Sequence, residues 1–396
     1  MKKIIILMPS MFIGGAERSL LGLLEAIDYS RYDVSLFLYR HEGEFLKYIP
    51  EKVHILSEMP QYRTFDTPIR SLLFSRQALF GLKRLRAKAA AWLHTKTTGE
   101  RRGVWMSMQY IAKFLQQRLP DIPGEYDLGI MYLGIADTLI NKVRATNKIT
   151  WNHTDYDTLF PNRAMDLETY NRLDAVVSVS ADCTEKLKAF YPTLADKAIT
   201  IENTLAEHFI KACAEEPQTD MLAGDSKVLL SVGRFCDAKN FDNVPDICRR
   251  LTESGLNVKW YLIGYGGNEA LIRRKIVELG MQDRVIILGK KDNPYSYMRA
   301  CDLYVQPSRY EGKAVSVREA QLLCKPVIIT KYDTSDSQLE DGTDGIVVPM
   351  DNEGCASGIA ALLRDPERMT QLSENCKKRD YTNSAEVEKI YALTED

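Results

Sequence analysis

The sequence predicts an α/β protein of two domains, each a parallel β-sheet with helices on both faces. The chain has 396 residues, which is long for one domain and ordinary for two. Hydrophobic residues make up 45% and charged residues 27% of the chain, as in globular proteins. Short apolar runs alternate with segments of helical periodicity almost throughout, which is typical of parallel sheets.

In the first half, the apolar run Lys3–Met8 predicts the first strand, and Ala16–Ile27 carries leucines at helical spacing. The N-terminal run is too short for a signal peptide, and no apolar run approaches the ~20 residues of a membrane-spanning helix. We therefore expect a cytoplasmic protein whose first domain covers residues 1–210. Six further strands are predicted there: Val34–Tyr39, Val53–Leu56, Leu128–Leu133, Ile149–Trp151, Ala175–Val179 and Ile199–Ile201.

The second half repeats this alternation. The polar segment Lys211–Lys227 has no periodicity, so we place the linker there and the second domain over residues 211–380. Residues 381–396 contain a helical segment, Ser384–Leu393, which we expect to return to the first domain. Two Rossmann-like, doubly wound domains would face a cleft at the carboxyl ends of their strands, where such sheets bind ligands. The strands predicted for the second domain are Val228–Val232, Val258–Ile263, Val285–Leu288, Leu303–Gln306, Val327–Thr330 and Ile346–Val348.

Residues 61–120 form a basic helical insertion in the first domain. Twelve Lys and Arg residues stand against two acids, Asp66 and Glu100, so this stretch carries +10 while the whole chain carries −2. Its apolar residues include several leucines, Trp92 and Trp105. Basic helices with apolar faces lie in anionic membrane surfaces, so we expect peripheral contact with the inner face of the cell membrane. The alternative is an insertion that only packs on the first domain. The overall charge gives no reason to expect nucleic-acid binding.

Two features of the first half are candidates for ligand binding. Gly14 and Gly15 lie between the first strand and its helix, where glycine lets a ligand approach and a helix N-terminus favours an anion. His153 follows the strand Ile149–Trp151 and could hydrogen-bond a substrate hydroxyl. Asp155 and Asp157 imitate a metal-binding D-x-D pair, but the surrounding pattern does not fit, so we expect no metal. The eight cysteines include no C-x-x-C pair and are expected as reduced core thiols.

In the second half, Gly233, Arg234 and Lys239 follow the strand Val228–Val232. Cations fixed at a strand end can stabilise the negative charge that develops on a diphosphate leaving group without a metal. Gly264 follows the strand Val258–Ile263 in a segment that is not G-x-G-x-x-G, so we expect a wall of a nucleotide pocket rather than a dinucleotide site.

The segment that follows the strand Leu303–Gln306 opens a helix. The backbone N–H groups of Lys313, Ala314 and Val315, next to Gly312, would point at a phosphate. Glu319 lies one turn into the helix, where its carboxylate could reach a ribose diol. Glu311 precedes the turn and would lie nearer the sugar.

Together these motifs resemble the glycosyl transferases group 1, the retaining GT-B glycosyltransferases of family 4. The resemblance covers nearly the whole chain and is strongest from Ser231 to Pro349. It implies a glycine loop on the donor phosphate, a diphosphate clamp, and a pair of glutamates spaced E-x7-E. The family often has Gly-Phe-Gly after the first glutamate, where this chain has Gly-Lys-Ala. The residues matched to the family are Gly14, Gly15, His153, Asn203, Arg234, Lys239, Asp302, Glu311 and Glu319.

The resemblance implies a hexosyltransferase-like enzyme that uses a nucleotide-sugar, most simply a UDP-sugar, and needs neither cofactor nor divalent metal. It also implies retention of anomeric configuration, with Glu311 close to the sugar but not a nucleophile. The branch it is most similar to builds bacterial capsule and other surface polysaccharides, so the expected acceptor is a glycan carried on a lipid. Two alternatives stay open: an epimerase or inverting transferase on the same fold, and a non-catalytic subunit that binds glycan or a partner.

Overall fold

The computed structural model describes residues 1–154, 156, 159–222, 224–311 and 314–395. These divide into two compact units, the first made of Met1–Ala206 with Asn383–Asp396 and the second of Glu207–Thr382. The predicted linker Lys211–Lys227 differs from this division because it lies inside the second unit. Its residue Asp220 accepts hydrogen bonds from Lys291 and from the Tyr297 hydroxyl at 2.5 and 2.6 Å. Side-chain contacts, rather than apolar periodicity, hold this segment on the unit.

The first unit is built on a seven-stranded sheet in the order β3-β2-β1-β4-β5-β6-β7, and every recorded strand pair is parallel. The strand Lys2–Met8, inside the sheet, is buried from Ile4 to Met8, as expected for a strand covered on both faces. The strands are β1 (Lys2–Met8), β2 (Tyr32–Leu38), β3 (His54–Ile55), β4 (Glu125–Met131), β5 (Arg144–Asn152), β6 (Ala175–Ser178) and β7 (Ala198–Thr200). The helices are α1 (Gly15–Ala26), α2 (Ile69–Leu73), α3 (Ala78–Thr98), α4 (Val104–Leu115), α5 (Asp137–Lys142), α6 (Arg163–Tyr170) and α7 (Ala181–Phe190).

The basic stretch 61–120 folds into helices α2, α3 and α4, which pack on one another. A buried carboxylate, Asp166 on α6, attaches this insertion to the rest of the unit. Gln109 and Trp105 of α4 donate hydrogen bonds to Asp166 Oδ1 at 2.6 and 3.3 Å. The hydroxyl of Tyr191 donates to the other oxygen at 2.8 Å. Burial raises the pKa of Asp166 to about 6, so these donors offset a desolvation cost.

The second unit is built on a six-stranded sheet in the order β10-β9-β8-β11-β12-β13, again with parallel pairs. Its predicted strands agree with the structure to within one residue at each end. The strands are β8 (Lys227–Val232), β9 (Val258–Ile263), β10 (Val285–Gly289), β11 (Leu303–Gln306), β12 (Val327–Thr330) and β13 (Ile346–Val348). The helices are α8 (Glu207–Ala214), α9 (Val244–Glu253), α10 (Glu269–Glu278), α11 (Tyr295–Ala300), α12 (Val315–Leu322), α13 (Asn352–Leu363) and α14 (Pro366–Cys376).

The C-terminal helix α15 (Val387–Ala392) packs on the first unit. The ring of Tyr391 stacks on that of Tyr32 with centroids 4.1 Å apart, and its hydroxyl accepts a hydrogen bond from the Asp28 backbone N–H at 2.7 Å. Just before the helix, Glu386 accepts a hydrogen bond from the backbone N–H of Glu202 at 2.8 Å. These contacts make the tail an integral part of the first unit. Within the described residues, no helix combines the length and apolarity needed to cross a membrane.

Candidate functional site

Strand order reverses once in each sheet, and several of the candidate residues follow the strands at those points. In the second unit the reversal lies between the neighbouring strands β8 and β11. Gly233, Arg234 and Lys239 follow β8, and Glu311 follows β11. Because parallel strands end at the same edge of a sheet, these residues lie at the edge where doubly wound sheets bind ligands.

The centre of this site is an ion pair between Lys239 and Glu311. Lys239 Nζ lies 2.5 Å from Glu311 Oε1, and the two side chains are 19% and 9% exposed. The same oxygen accepts hydrogen bonds from the Ser308 hydroxyl at 2.6 Å and the Gln306 amide at 3.3 Å. The Glu311 carboxylate is therefore held in one orientation by three donors. Sequence reasoning identified Lys239 and Glu311 as separate site residues but did not predict their ion pair or the donors Ser308 and Gln306.

Arg234 differs from Lys239 because its guanidinium is exposed and makes no hydrogen bond or ion pair with a described residue. Gly233 beside it leaves room for the Lys239 stem, since a Cβ at that glycine would lie 3.3 Å from Lys239 Cε. The site thus presents one cation fixed by a carboxylate and one cation without a described partner.

Glu319 lies on α12 and is buried. Its Oε1 accepts a hydrogen bond from the Tyr295 hydroxyl at 2.8 Å, and Tyr295 is itself buried in α11. The Tyr295 ring packs edge-on against Phe209 with centroids 5.8 Å apart. Glu319 is therefore positioned by a neighbouring helix, a contact that sequence reasoning did not find.

The start of α12 departs in part from the prediction. The Ala314 N–H donates to Gln338 Oε1 at 2.7 Å, and the Gln338 amide donates back to the Ala314 carbonyl at 3.3 Å. The expectation that the Ala314 N–H points at a phosphate is therefore not met, because this N–H donates to the Gln338 side chain from the loop after β12. Val315 is the first residue of the helix. Gly312 and Lys313 lie outside the described residues.

Gly264 allows two loops to approach closely. Its φ of +147° is disfavoured for other residues, and a Cβ there would lie 1.9 Å from the carbonyl oxygen of Gly233. Its N–H donates to the carbonyl of Gly289 at 2.9 Å. The loop after β9 is in this way fixed against the loop that carries Arg234.

In the first unit, Gly14 and Gly15 follow β1, but neither adopts a positive φ. Gly14 has φ −158°, and a Cβ there would lie 2.2 Å from Glu17 Oε2, so this glycine makes room for a carboxylate folded back on the start of α1. Burial raises the pKa of Glu17. A Cβ at Gly15 would meet nothing within 4 Å.

His153 follows β5 and is half-buried. Its ring lies 4.7 Å from that of Tyr132, and its Nε2 lies 2.8 Å from the Tyr132 carbonyl oxygen. Burial lowers the pKa of His153 to about 4, so the imidazole is neutral at neutral pH. Because a carbonyl only accepts, Nε2 carries the proton and Nδ1 is a hydrogen-bond acceptor.

Hydrogen bonds that sequence reasoning missed fix the position of Tyr132. Its hydroxyl lies 2.6 Å from the Ser19 hydroxyl, which donates to Asn203 Oδ1 at 2.6 Å. Since the Ser19 proton is directed to Asn203, the Tyr132 hydroxyl donates to Ser19. Asn203, matched to the family in the sequence, is thus connected to His153 through Ser19 and Tyr132.

Among the described residues, no group of three His, Cys, Asp or Glu side chains could hold a metal ion. Asp155 and Asp157, which imitate a D-x-D motif, lie outside the described part of the chain. Asp302 accepts a hydrogen bond from the backbone N–H of Val228 at 2.8 Å and forms an ion pair with Lys227 at 3.2 Å. Asp302 therefore stabilises the start of strand β8.

The fold defined by these two units is that of the GT-B glycosyltransferases. The structure is similar over 99% of its length to 99% of the chain of HepE from Anabaena in complex with UDP and glucose, with a TM-score of 0.60 and 17% sequence identity. A likeness at this identity establishes the fold.

Residues 214–379, most of the second unit, match the model of the family Glycosyl transferases group 1. A similar protein is the alpha-D-kanosaminyltransferase of Streptomyces kanamyceticus, 29% identical over 38% of this chain and 40% of that protein. Another is the N-acetylgalactosamine-N,N'-diacetylbacillosaminyl-diphospho-undecaprenol 4-alpha-N-acetylgalactosaminyltransferase of Campylobacter jejuni, 28% identical over 40% of this chain and 43% of that protein. The matches thus span about two fifths of these relatives. The matched family and both of these relatives are glycosyltransferases by name.

Proposed function

We propose that the protein is a retaining, metal-independent glycosyltransferase of family 4 that moves a sugar from a nucleotide-sugar to a glycan. The observation that carries this proposal is the pair of cations, Arg234 and Lys239, beside Glu311 at the strand-order reversal of the second unit. A transferase of this kind must stabilise a departing diphosphate, and preorganised cations do so without reorganisation during the reaction.

Arg234 and Lys239 suit two different parts of this task. The Arg234 guanidinium is exposed and can bind two phosphate oxygens at once. The Lys239 ammonium has three N–H groups, of which Glu311 uses one, so the others are available to a phosphate oxygen. Together they offset the charge of the leaving group, which is the role that a divalent metal performs in other phosphate-transferring sites.

Glu319 is the proposed ribose ligand. The Tyr295 hydroxyl donates to one carboxylate oxygen and so holds the Glu319 carboxylate in a defined orientation. A ribose diol offers two O–H donors that such a carboxylate can accept. The complexes of HepE with UDP and with UDP and glucose support UDP as the nucleotide.

Glu311 is proposed to orient the site rather than to attack the sugar. One of its oxygens already accepts three hydrogen bonds, which lowers its nucleophilicity. Retention would then follow from attack on the leaving-group face, with the departing phosphate taking the proton of the acceptor hydroxyl. His153 would accept a hydrogen bond from a substrate hydroxyl through Nδ1.

The proposed acceptor is a lipid-linked glycan in bacterial surface polysaccharide synthesis. Support comes from two relatives: the Campylobacter jejuni enzyme, whose name specifies a diphospho-undecaprenol glycan, and the lipopolysaccharide core biosynthesis glycosyltransferase LpsE of Rhizobium meliloti. We place the reaction on the cytoplasmic side of the membrane, where nucleotide-sugars would be available.

Donor turnover by Arg234→Ala tests the proposal. We expect at least ~100-fold slower transfer or hydrolysis of UDP-sugar, as when one oxyanion donor is removed, with an unchanged melting temperature because Arg234 is exposed. Arg274→Ala, which also removes an exposed arginine of the second unit, should leave turnover unchanged. Activity should persist in excess chelator, and proton NMR should show that the product keeps the donor's anomeric configuration. Wild-type turnover by Arg234→Ala would contradict the clamp, and an inverted product would contradict retention.

A further inference from the structure

Helix α3 of the basic insertion is apolar on two opposite sides. Its buried side consists of Phe80, Ala87 and Ala91. At 3.6 residues per turn, the exposed apolar residues fall within an arc of about 140° on the other side. An ordinary surface helix buries its large apolar side chains and exposes polar ones, whereas α3 also exposes large apolar side chains. The exposed residues, each 42–57% exposed, are Leu79, Leu82, Leu85, Trp92 and Leu93.

Cations border this exposed face. Arg86, Lys88 and Lys96 are exposed and make no ion pair with any residue that the structure describes. The two acids of the insertion do not neutralise them, because Asp66 pairs with an arginine outside the insertion at 2.7 Å and Glu100 contacts a histidine at 2.9 Å. The face is therefore both apolar and strongly positive.

We propose that this face of α3 docks on an anionic lipid bilayer, with the helix lying parallel to the membrane plane. Leucine and tryptophan side chains enter the boundary between headgroups and acyl chains, and the bordering cations contact lipid phosphates. The charge argues against a second copy of this chain, because a symmetric contact would bring two such positive faces together. This proposal does not depend on whether the protein transfers a sugar.

Flotation of the full-length protein with vesicles tests this surface. We expect binding to vesicles that contain phosphatidylglycerol, little binding to pure phosphatidylcholine, and weakening as salt rises, because exposed charges are screened over ~8–10 Å. Trp92 is the most exposed of the four tryptophans, since Trp151 and Trp260 are buried and Trp105 is half-buried. Its emission should shift to shorter wavelength on binding and should be quenched by brominated acyl chains. Trp92→Phe should bind while losing most of that shift.

Two double variants separate the apolar and the charged contributions. Trp92→Gln with Leu93→Gln should fold normally and lose at least about tenfold in vesicle affinity. Arg86→Glu with Lys88→Glu should lose the preference for anionic lipid, since each cation near the surface is worth on the order of fivefold in affinity. Leu222→Gln with Val277→Gln removes equally exposed apolar side chains from the second unit and should bind as wild type does.

Three outcomes would overturn the proposal. One is a wild-type protein that does not float with anionic vesicles at low salt. Another is undiminished binding by the Trp92→Gln, Leu93→Gln variant. The last is a wild-type protein that ignores lipid but self-associates in sedimentation through this face, which would assign the face to a second copy of the chain.

Discussion

Removal of the Lys239 charge is the sharpest test of the site, because it separates a role in stability from a role in catalysis. Lys239→Met keeps an unbranched side chain of similar length but leaves the buried Glu311 carboxylate without its counter-ion. Loss of one partner of a buried pair costs about 3–5 kcal/mol. We expect about 3 kcal/mol, the lower end, since Ser308 and Gln306 still donate to Glu311.

For a unit of the size of 207–382, each kcal/mol lowers the melting temperature by roughly 2–4 °C, so Lys239→Met should lower that of the second unit by about 6–12 °C. Its kcat should fall ~10²–10³-fold, as when one oxyanion donor is lost. The double variant Lys239→Met, Glu311→Gln removes the unpaired charge, so its stability should return to within about 1 kcal/mol of wild type.

The assay is differential scanning calorimetry of the four proteins of this cycle, together with UDP-sugar turnover below the first transition. If Lys239 acts on the leaving group, the double variant stays at least ~100-fold slow although its stability has recovered. Recovery of turnover together with stability would refute the clamp and leave Lys239 as a structural counter-ion of Glu311.

Two further predictions concern the scaffold of the site. Gly264→Ala should lower the free energy of unfolding by more than about 3 kcal/mol, because its Cβ would lie 1.9 Å from a carbonyl oxygen at a φ of +147°. The control is Gly267→Ala, whose Cβ would meet nothing within 4 Å and should lower that free energy by no more than about 1 kcal/mol. Chemical denaturation measures both values. The folded-state pKa of His153, about 4, lies below the ~6.5 of an unfolded chain, so the unfolded state binds more protons between these values and stability falls as pH drops from 6.5 to 4. His153→Asn should remove the part of this stability loss that protonation of His153 causes. Parallel curves of stability against pH for the two proteins would contradict a lowered pKa of His153.

The sequence by itself determined the alternation of strands and helices in both units. Parallel strands covered on both faces must be nearly continuous apolar runs, and β9, β11, β12 and β13 begin and end at the predicted residues for this reason. The ends of other strands were predicted less accurately. Strand β5 starts at Arg144, five residues before the predicted start, because backbone pairing with β4 extends it through polar residues. Charged residues after the strand ends identified Arg234, Lys239 and Glu311 as candidates, and the position of Glu319 one turn into the following helix added the fourth.

Only the tertiary structure decided how those residues are held. Lys239 and Glu311 are 72 positions apart, Tyr295 and Glu319 are 24 apart, and Gln338 reaches back 24 positions to take the Ala314 N–H. Periodicity reports which face of an element is buried, but a hydrogen bond between elements depends on where the chain brings them. For the same reason the sequence predicted that the insertion is basic and partly apolar, but only the fold shows that several leucines and Trp92 of α3 are exposed on its surface.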